Sequence, residues 1–156
     1  MKKLVIISLI VIIGIIVASS YFRIPTIDGH WASNCQETFG AKDLGSFNNS
    51  MIITGNKATI LGHTYTDQKC SQVFKTIAST ADISIPDRIT NNVWALNIRI
   101  RESLTAFNDA NWIPKGYTKD VFAPLDKVPE DLKTKLVVNN KREIYLGQIL
   151  YIKGDN

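Results

Sequence analysis

Histidine and cysteine are scarce in this chain, which restricts the chemistry it can perform. Only two residues of each type occur among 156, without the close ligand spacing of a zinc site. Neither His30 nor His63 has a Ser or Asp at a spacing typical of nucleophilic catalysis. The sequence also lacks a nucleophile elbow, a phosphate-binding loop and a His-Glu metal motif. We therefore expect no metal site, no cofactor and no enzymatic activity.

Clustered positive charge is lacking as well. The formal net charge is +4, and residues 1–20 contribute two lysines and no acids, so the remainder carries +2. The densest basic stretch has the composition of a solvated polar face; it comprises Lys133, Lys135, Lys141 and Arg142. A domain with so little net charge has no electrostatic reason to bind nucleic acid. We expect no nucleic-acid partner.

The chain does contain one long apolar run. Residues 4–18 (LVIISLIVIIGIIVA) are interrupted only by Ser8 and Gly14, and two lysines precede them. A charged start followed by an apolar segment is the pattern of an export signal. Small residues at 17–20 suit signal peptidase, whereas a helix over residues 4–22 would be about 28 Å long and would nearly span a hydrocarbon core. We predict that residues 1–20 form a signal peptide or an uncleaved membrane anchor, and the sequence leaves both open.

Lys2 and Lys3 also predict the location of the rest of the chain. Under the positive-inside rule they stay cytoplasmic, so the domain is exported to the periplasm or another extracytoplasmic space. It is either anchored in the membrane through residues 4–22 or released. Cys35 and Cys70 fit an oxidising compartment, where an exported pair most often forms a disulfide. The competing interpretation, a metal site shared with the two histidines, lacks suitable spacing, so we predict a Cys35–Cys70 disulfide.

The remaining residues divide into a short tether and one domain. Residues 21–28 form the tether, because Pro25 prevents a helix from continuing out of the apolar segment. Residues 29–153 form the domain, and period-two patterns dominate it. One hairpin is centred on Gly55-Asn56, since both residues readily adopt positive φ. The clearest alternation places four apolar residues on one face of a strand: Trp94, Leu96, Ile98 and Ile100.

A helical signal occurs in only one place. Pro129, Glu130 and Asp131 suit a first helical turn, and Leu132 and Leu136 follow at i, i+4 spacing. The segment is short, and a turn is the alternative that the sequence leaves open. Elsewhere we find about eight strand candidates bounded by turn residues, without βαβ alternation. The sequence therefore predicts an all-β fold with a minor helix, arranged as a small antiparallel β-barrel or sandwich.

Gly29 and Trp31 open the first predicted strand, Cys35 follows four residues after the tryptophan, and a meander of short strands comes next. This arrangement resembles the lipocalin and calycin superfamily, and more closely small bacterial exported proteins with lipocalin-like barrels. The resemblance implies that Trp31 closes one barrel end beneath the first strand. It also implies that Arg142 packs over the indole. Residues 108–128 depart from a simple eight-strand meander.

The first functional hypothesis is a non-enzymatic binding module that holds a small apolar or lipid-like ligand. A barrel of about eight strands can enclose one ligand or be filled by its own side chains. The candidate lining residues are Trp94, Leu96, Ile98 and Ile100.

The second hypothesis is a protein-interaction module, such as an inhibitor, an immunity protein or an accessory subunit of an envelope assembly. This function needs an exposed loop and no pocket. Residues 108–125 are the best candidate, because Trp112, Tyr117 and Phe122 are interleaved there with Pro, Gly and Lys. Aromatic residues in a long loop are typical of interface anchors.

Overall fold

The computed structural model describes residues 24–37, 45–125 and 131–154, most of them in antiparallel strands. The segment predicted as a signal peptide or anchor, residues 1–20, lies outside them. Within the described ranges, no helix has the length and apolar character needed to cross a bilayer. The elements are β1 (Gly29–Ser33), β2 (Gln36–Glu37), β3 (Ser46–Thr54), β4 (Lys57–Tyr65), β5 (Val73–Ser84), β6 (Arg88–Thr90), β7 (Val93–Phe107), the 3-10 turn η1 (Ala110–Trp112), β8 (Ala123–Pro124), β9 (Leu132–Asn140), β10 (Glu143–Leu146) and β11 (Ile149–Lys153).

Eight of these strands close into an antiparallel barrel in the order β1-β11-β10-β9-β7-β5-β4-β3, with β3 returning to β1. Closure depends on β1, because Trp31 pairs with Lys153 of β11 on one side and with Met51 of β3 on the other. A closed barrel has no open edge along its wall. The short strands β2, β6 and β8 are additions that pair with β3 or β7. The architecture is a barrel, not a sandwich, and is compatible with the lipocalin-like barrel expected from Gly29 and Trp31.

The barrel has two distinct ends. At the first, which we call the mouth, residues 24–28 cross the opening, and Ile27 is buried in the core. Two hydrogen bonds hold this crossing: the Trp31 indole donates to the Ile27 carbonyl at 2.8 Å, and Asp28 accepts from the Gly55 amide at 2.6 Å. The predicted tether therefore packs against the barrel over its described part. The opposite end, which we call the far end, carries the β4–β5 turn and the disulfide.

The hairpin predicted at Gly55-Asn56 is confirmed. Thr54 of β3 pairs with Lys57 of β4 across the two-residue turn, and Gly55 has a φ of +59°. The absence of a side chain makes this left-handed conformation inexpensive for glycine. The turn sets the register of a nine-pair ladder that brings Met51 opposite Ile60.

The barrel interior is apolar in the half near the mouth. Side chains from all eight barrel strands, together with Ile27, form one core, and Leu136 and Ile144 are completely buried. Burial of this apolar surface is the main favourable term in folding, worth about 25 cal/mol per Å². The buried members of the core are Ile27, Trp31, Met51, Ile53, Ala58, Ala81, Ile83, Trp94, Leu96, Ile98, Leu136, Ile144 and Tyr151.

Polar side chains lie inside the half of the barrel near the far end, which we call the polar half. The Ser79 and Ser103 hydroxyls are hydrogen-bonded at 2.5 Å, and the Asn49 amide donates to the Tyr151 hydroxyl at 3.4 Å. Gly62 leaves room for Asn49, since a Cβ there would lie 3.0 Å from the Asn49 Oδ1. Burial raises the pKa of Tyr151. Among the described residues every buried side-chain polar atom has a partner, so the polar half carries no uncompensated desolvation cost.

The helix predicted to begin near Pro129 is wrong over its described part. Leu132 and Leu136 lie on β9, where Leu136 pairs with Trp94 of β7 and Leu146 of β10. The i, i+4 spacing of two leucines is compatible with either structure. Hydrogen-bonded strands on both sides stabilise the strand conformation, and Val137 and Val138, which follow Leu136, are β-branched and favour strands.

The apolar alternation of residues 94–100 resumes at Leu104 and Ala106, a sequence pattern that predicts a bend or tight turn at Glu102-Ser103. This prediction is wrong, because β7 runs without interruption from Val93 to Phe107. Ala81 pairs with Ile100 while Thr80 pairs with Glu102, so the ladder contains a bulge at Arg101. A bulge inserts one unpaired residue and reverses which side chains face the core. Ser103 and Thr105 therefore share the inner face with Ile100, whereas Leu104 and Ala106 face outward.

The predicted disulfide is confirmed. Cys35 and Cys70 are bonded, with their Cα atoms 5.8 Å apart, and the bond joins the segment after β1 to the β4–β5 turn. Cys70 has a φ of +54°, a conformation that costs a non-glycine residue about 1–2 kcal/mol. The buried Ser46 hydroxyl lies 3.1 Å from the Cys70 sulfur.

Asp67 organises the turn in which Cys70 lies. Its carboxylate accepts the backbone N–H groups of Lys69 at 2.7 Å, Ser71 at 3.1 Å and Gln72 at 2.7 Å. Desolvation alone would raise the pKa of Asp67, but the amide donors of Gln72, Lys69 and Ser71 outweigh it and lower the pKa overall. The charged carboxylate therefore stabilises the turn.

Candidate interaction surface

Residues 108–125, which follow β7, lie against the outer face of the barrel near the far end. Their first residue is attached to β5, because the Asn108 amide donates to the Phe74 carbonyl at 2.7 Å. At their end, Ala123–Pro124 pairs with Leu104 and Thr105 of β7, and the Leu125 amide donates to the Ser103 carbonyl at 3.0 Å. Backbone hydrogen bonds at both ends give this loop a defined position on the sheet.

A polar cluster fixes the base of the loop. The Thr76 hydroxyl donates to Asn108 Oδ1 at 3.1 Å. The side-chain amide nitrogen of Asn108 donates to the Asp120 carboxylate at 2.9 Å. Asp109 caps η1 by accepting the Asn111 amide at 2.9 Å. Each bond of this kind contributes about 1 kcal/mol net. Together they order the loop before any partner binds.

His63 contacts the same cluster, and its geometry bears on the question of catalysis. Its Nδ1 lies 3.1 Å from the Thr76 hydroxyl, whose proton is donated to Asn108. The ring nitrogen must then donate to Thr76, which is the reverse of the proton removal that a general base performs. Burial lowers the pKa of His63, which favours the neutral ring. This arrangement suits a structural histidine.

The three aromatic residues predicted as interface anchors all lie on this loop, but their environments differ. Trp112 packs on Phe74 with ring centroids 5.2 Å apart, and 39% of it stays exposed. Tyr117 meets the edge of Phe107 at 5.3 Å and is half-buried. Phe122 is 49% exposed, and its neighbour Val121 is exposed as well. Trp112, Val121 and Phe122 form what we call the loop surface.

The four residues predicted to line a ligand cavity are brought together inside the barrel. Trp94, Leu96 and Ile98 are buried members of the core, and Ile100 is a partly buried residue packed against it. Their partners include Leu136 from the neighbouring strand β9. The structure thus places them as packing residues of the core.

The residues carried over from the lipocalin resemblance lie near the mouth. Gly29 has a φ of +131°, and a Cβ on it would collide with the Lys153 side chain. Trp31 is buried beneath β1, and the Lys153 ammonium lies 5.4 Å from its ring centroid. Arg142 follows the β9–β10 turn, and its carbonyl accepts the Lys153 amide at 2.8 Å. Packing of the Arg142 side chain over the indole remains a prediction.

A charged groove of about 370 Å³ on the outer wall was not anticipated from the sequence. Asp82 lies between Lys57 and Arg101, and hydrogen bonds from these two cations lower its pKa. Arg99 pairs with Asp131 at 3.1 Å in the same groove. Cross-strand register brings these residues together from β4, β5 and β7, and no local spacing reveals it. Such solvent-exposed pairs contribute little to stability, because water screens them.

Within the part of the chain that the structure describes, no group of three or more His, Cys, Asp or Glu residues could hold a metal ion. No protein-family profile matches the chain, and no curated protein is similar enough to count as a relative.

Proposed function

We propose that this chain is a non-enzymatic, extracytoplasmic protein-interaction module that binds a protein partner through the loop surface. One observation carries the proposal: Trp112 and Phe122 present apolar area to solvent from a loop tied down by hydrogen bonds at both ends. Interface hot spots are enriched in aromatic residues. A loop ordered before binding also avoids the entropy cost of immobilising side chains and backbone.

The burial of the predicted lining residues in the core disfavours the other hypothesis, an apolar ligand inside the barrel. Trp94, Leu96 and Ile98 would have to leave packed positions to admit a ligand. Removing a buried side chain from its contacts costs several kcal/mol, which the ligand would need to replace. The loop surface requires no such rearrangement.

The disulfide supports the proposed location. Cys35–Cys70 is consistent with an oxidising compartment, and the bond lies at the same end of the barrel as the loop surface. An exported partner of the cell envelope is therefore the class of protein that we propose.

The test is capture from the native envelope with three forms of the chain. These are the wild type, a Trp112→Ala/Phe122→Ala variant, and a Leu132→Ala control that changes an apolar residue of β9 outside the loop surface, 49% exposed like Phe122. A partner captured by the wild type and the control should be lost by the loop variant. The partner is then purified, and two hot-spot truncations should weaken its binding at least about 30-fold. Equal affinity for all three forms, at unchanged melting temperatures, would contradict the proposal.

A further inference from the structure

The mouth carries a second group of exposed apolar side chains, separate from the loop surface. Ile24, in the segment that crosses the opening, is 62% exposed, and Ile89 of β6 is 51% exposed. Ile52 on β3 and Ile152 on β11 are exposed on the outer wall either side of β1. We call these four isoleucines the rim. Exposed apolar side chains that collect at one end of a domain are a candidate interaction surface.

The chain outside the described residues points to what covers the rim. The apolar residues 4–18 end only six residues before Ile24, and six residues span at most about 22 Å when fully extended. A bilayer that holds the apolar residues must therefore lie close to the mouth. The far end is more remote, because the nine residues of β4 alone cover about 30 Å along the strand. The rim is the surface that a membrane would meet.

Cations lie beside the rim together with acids. Lys141 and Arg142 are exposed at the β9–β10 turn, and the nearby Glu143 carboxylate accepts hydrogen bonds from the side-chain amides of Asn139 and Asn140 at 2.7 and 2.9 Å. The Asp28 carboxylate accepts the Gly55 amide. Among the described residues, Asp87 is a further exposed acid, and it stands next to Arg88 in sequence. Exposed isoleucines next to cations are the composition of surfaces that rest in the membrane interface.

We propose that the rim docks on the surface of the bilayer entered by residues 4–18, with Ile24 and Ile89 inserted among the lipid headgroups. The barrel then stands on the membrane by its mouth, and the loop surface points away from the lipid. This proposal depends on residues 4–18 remaining attached to the domain. It is independent of the partner proposed for Trp112 and Phe122.

The experiment uses the full chain reconstituted in vesicles of phosphatidylethanolamine and phosphatidylglycerol with brominated acyl chains. A fluorophore is attached to a single added cysteine, because both native cysteines are in the disulfide. Asn91→Cys reports on the mouth, and Lys115→Cys reports on the loop near the far end. Bromine should quench the label at 91 and leave the label at 115 unquenched. Equal quenching at the two positions, or none at 91, would overturn the proposal.

A second comparison tests the isoleucines themselves. Ile24→Ser/Ile89→Ser should abolish the quenching at position 91. Val121→Ser is the matched control, since Val121 is 51% exposed, the same fraction as Ile89, and lies near the far end; it should leave the quenching unchanged. All the replaced side chains are exposed, so these variants should retain the wild-type melting temperature. Full quenching in the isoleucine variant would overturn the proposed docking.

Discussion

Removal of the Cys35–Cys70 cross-link tests how the disulfide stabilises the barrel. The bond closes a loop with a sequence separation of 35 residues. On the chain-entropy account, a loop of this size restricts the unfolded chain by about 4 kcal/mol. Cys35→Ser/Cys70→Ser should therefore lower the free energy of unfolding by about 2–5 kcal/mol. The buried Ser46 hydroxyl keeps its hydrogen bond to the Asp67 carbonyl at 2.6 Å in this variant. Ser46 therefore does not lower the free energy of unfolding further.

The backbone of Cys70 supplies a second, opposite effect that can be separated from the first. Its φ of +54° is expensive for any residue with a Cβ, including the serine of the double variant. Cys35→Ser/Cys70→Gly removes the same cross-link and relieves this conformation. We expect it to be about 1 kcal/mol more stable than the double-serine variant.

Urea titration of the oxidised wild type, the reduced wild type and both variants measures these differences. The buried Trp31 and Trp94 provide the fluorescence signal. The reasoning fails if reduction leaves the midpoint unchanged. It also fails if the serine variant equals or exceeds the glycine variant in stability, since the left-handed backbone of Cys70 would then carry no cost.

Two further predictions concern the mouth and the β4–β5 turn. Ile27→Ala should lower the free energy of unfolding by about 2–5 kcal/mol, because Ile27 belongs to the core. In the same urea titration, the exposed Ile24→Ala should change the free energy of unfolding by less than about 0.5 kcal/mol. Equal effects of the two substitutions would contradict the packing of Ile27 in the core. Asp67→Asn should destabilise the domain at pH 7 and make little difference in strong acid. The pKa of Asp67 is lowered in the folded state, so its contribution is present above the unfolded pKa of about 4 and disappears as the pH falls through the folded pKa. Urea midpoints of the wild type and Asp67→Asn at neutral and acid pH check this prediction. A destabilisation by Asp67→Asn that is as large in acid as at neutral pH would refute it.

The elements that were predictable from the sequence are those determined by neighbouring residues. Gly55-Asn56 fits its hairpin turn whatever the rest of the chain does, and the alternation from Trp94 to Ile100 marks one inward face. The Cys35–Cys70 bond followed from there being only one possible pair. In each case, the sequence signal came from neighbouring residues or from a single possible pairing, and it agreed with the final fold.

The errors arose where distant strands decide the outcome. Leu132 and Leu136 have helical spacing, but the ladder with β7 and β10 places them on a strand. The bulge at Arg101 reverses the facing of Leu104 and Ala106, and only the register with β5 reveals it. The loop surface was located from its aromatic residues, whereas its attachment to Phe74 depends on contacts that no local pattern encodes. The rim has the same origin, because its isoleucines come from three separate strands and the segment before β1.

The position of β1 has a consequence for how the chain reaches this structure. Trp31 has one ladder partner close in sequence, Met51, and another, Lys153, near the end of the described chain. Pairings between residues so far apart in sequence slow folding, because the entropy of closing the chain must be lost before the contact forms. Until β11 is available, β1 has an unpaired edge, which is a template for pairing with another chain. The barrel is therefore most exposed to misassembly in the interval between synthesis of its first strand and synthesis of its last.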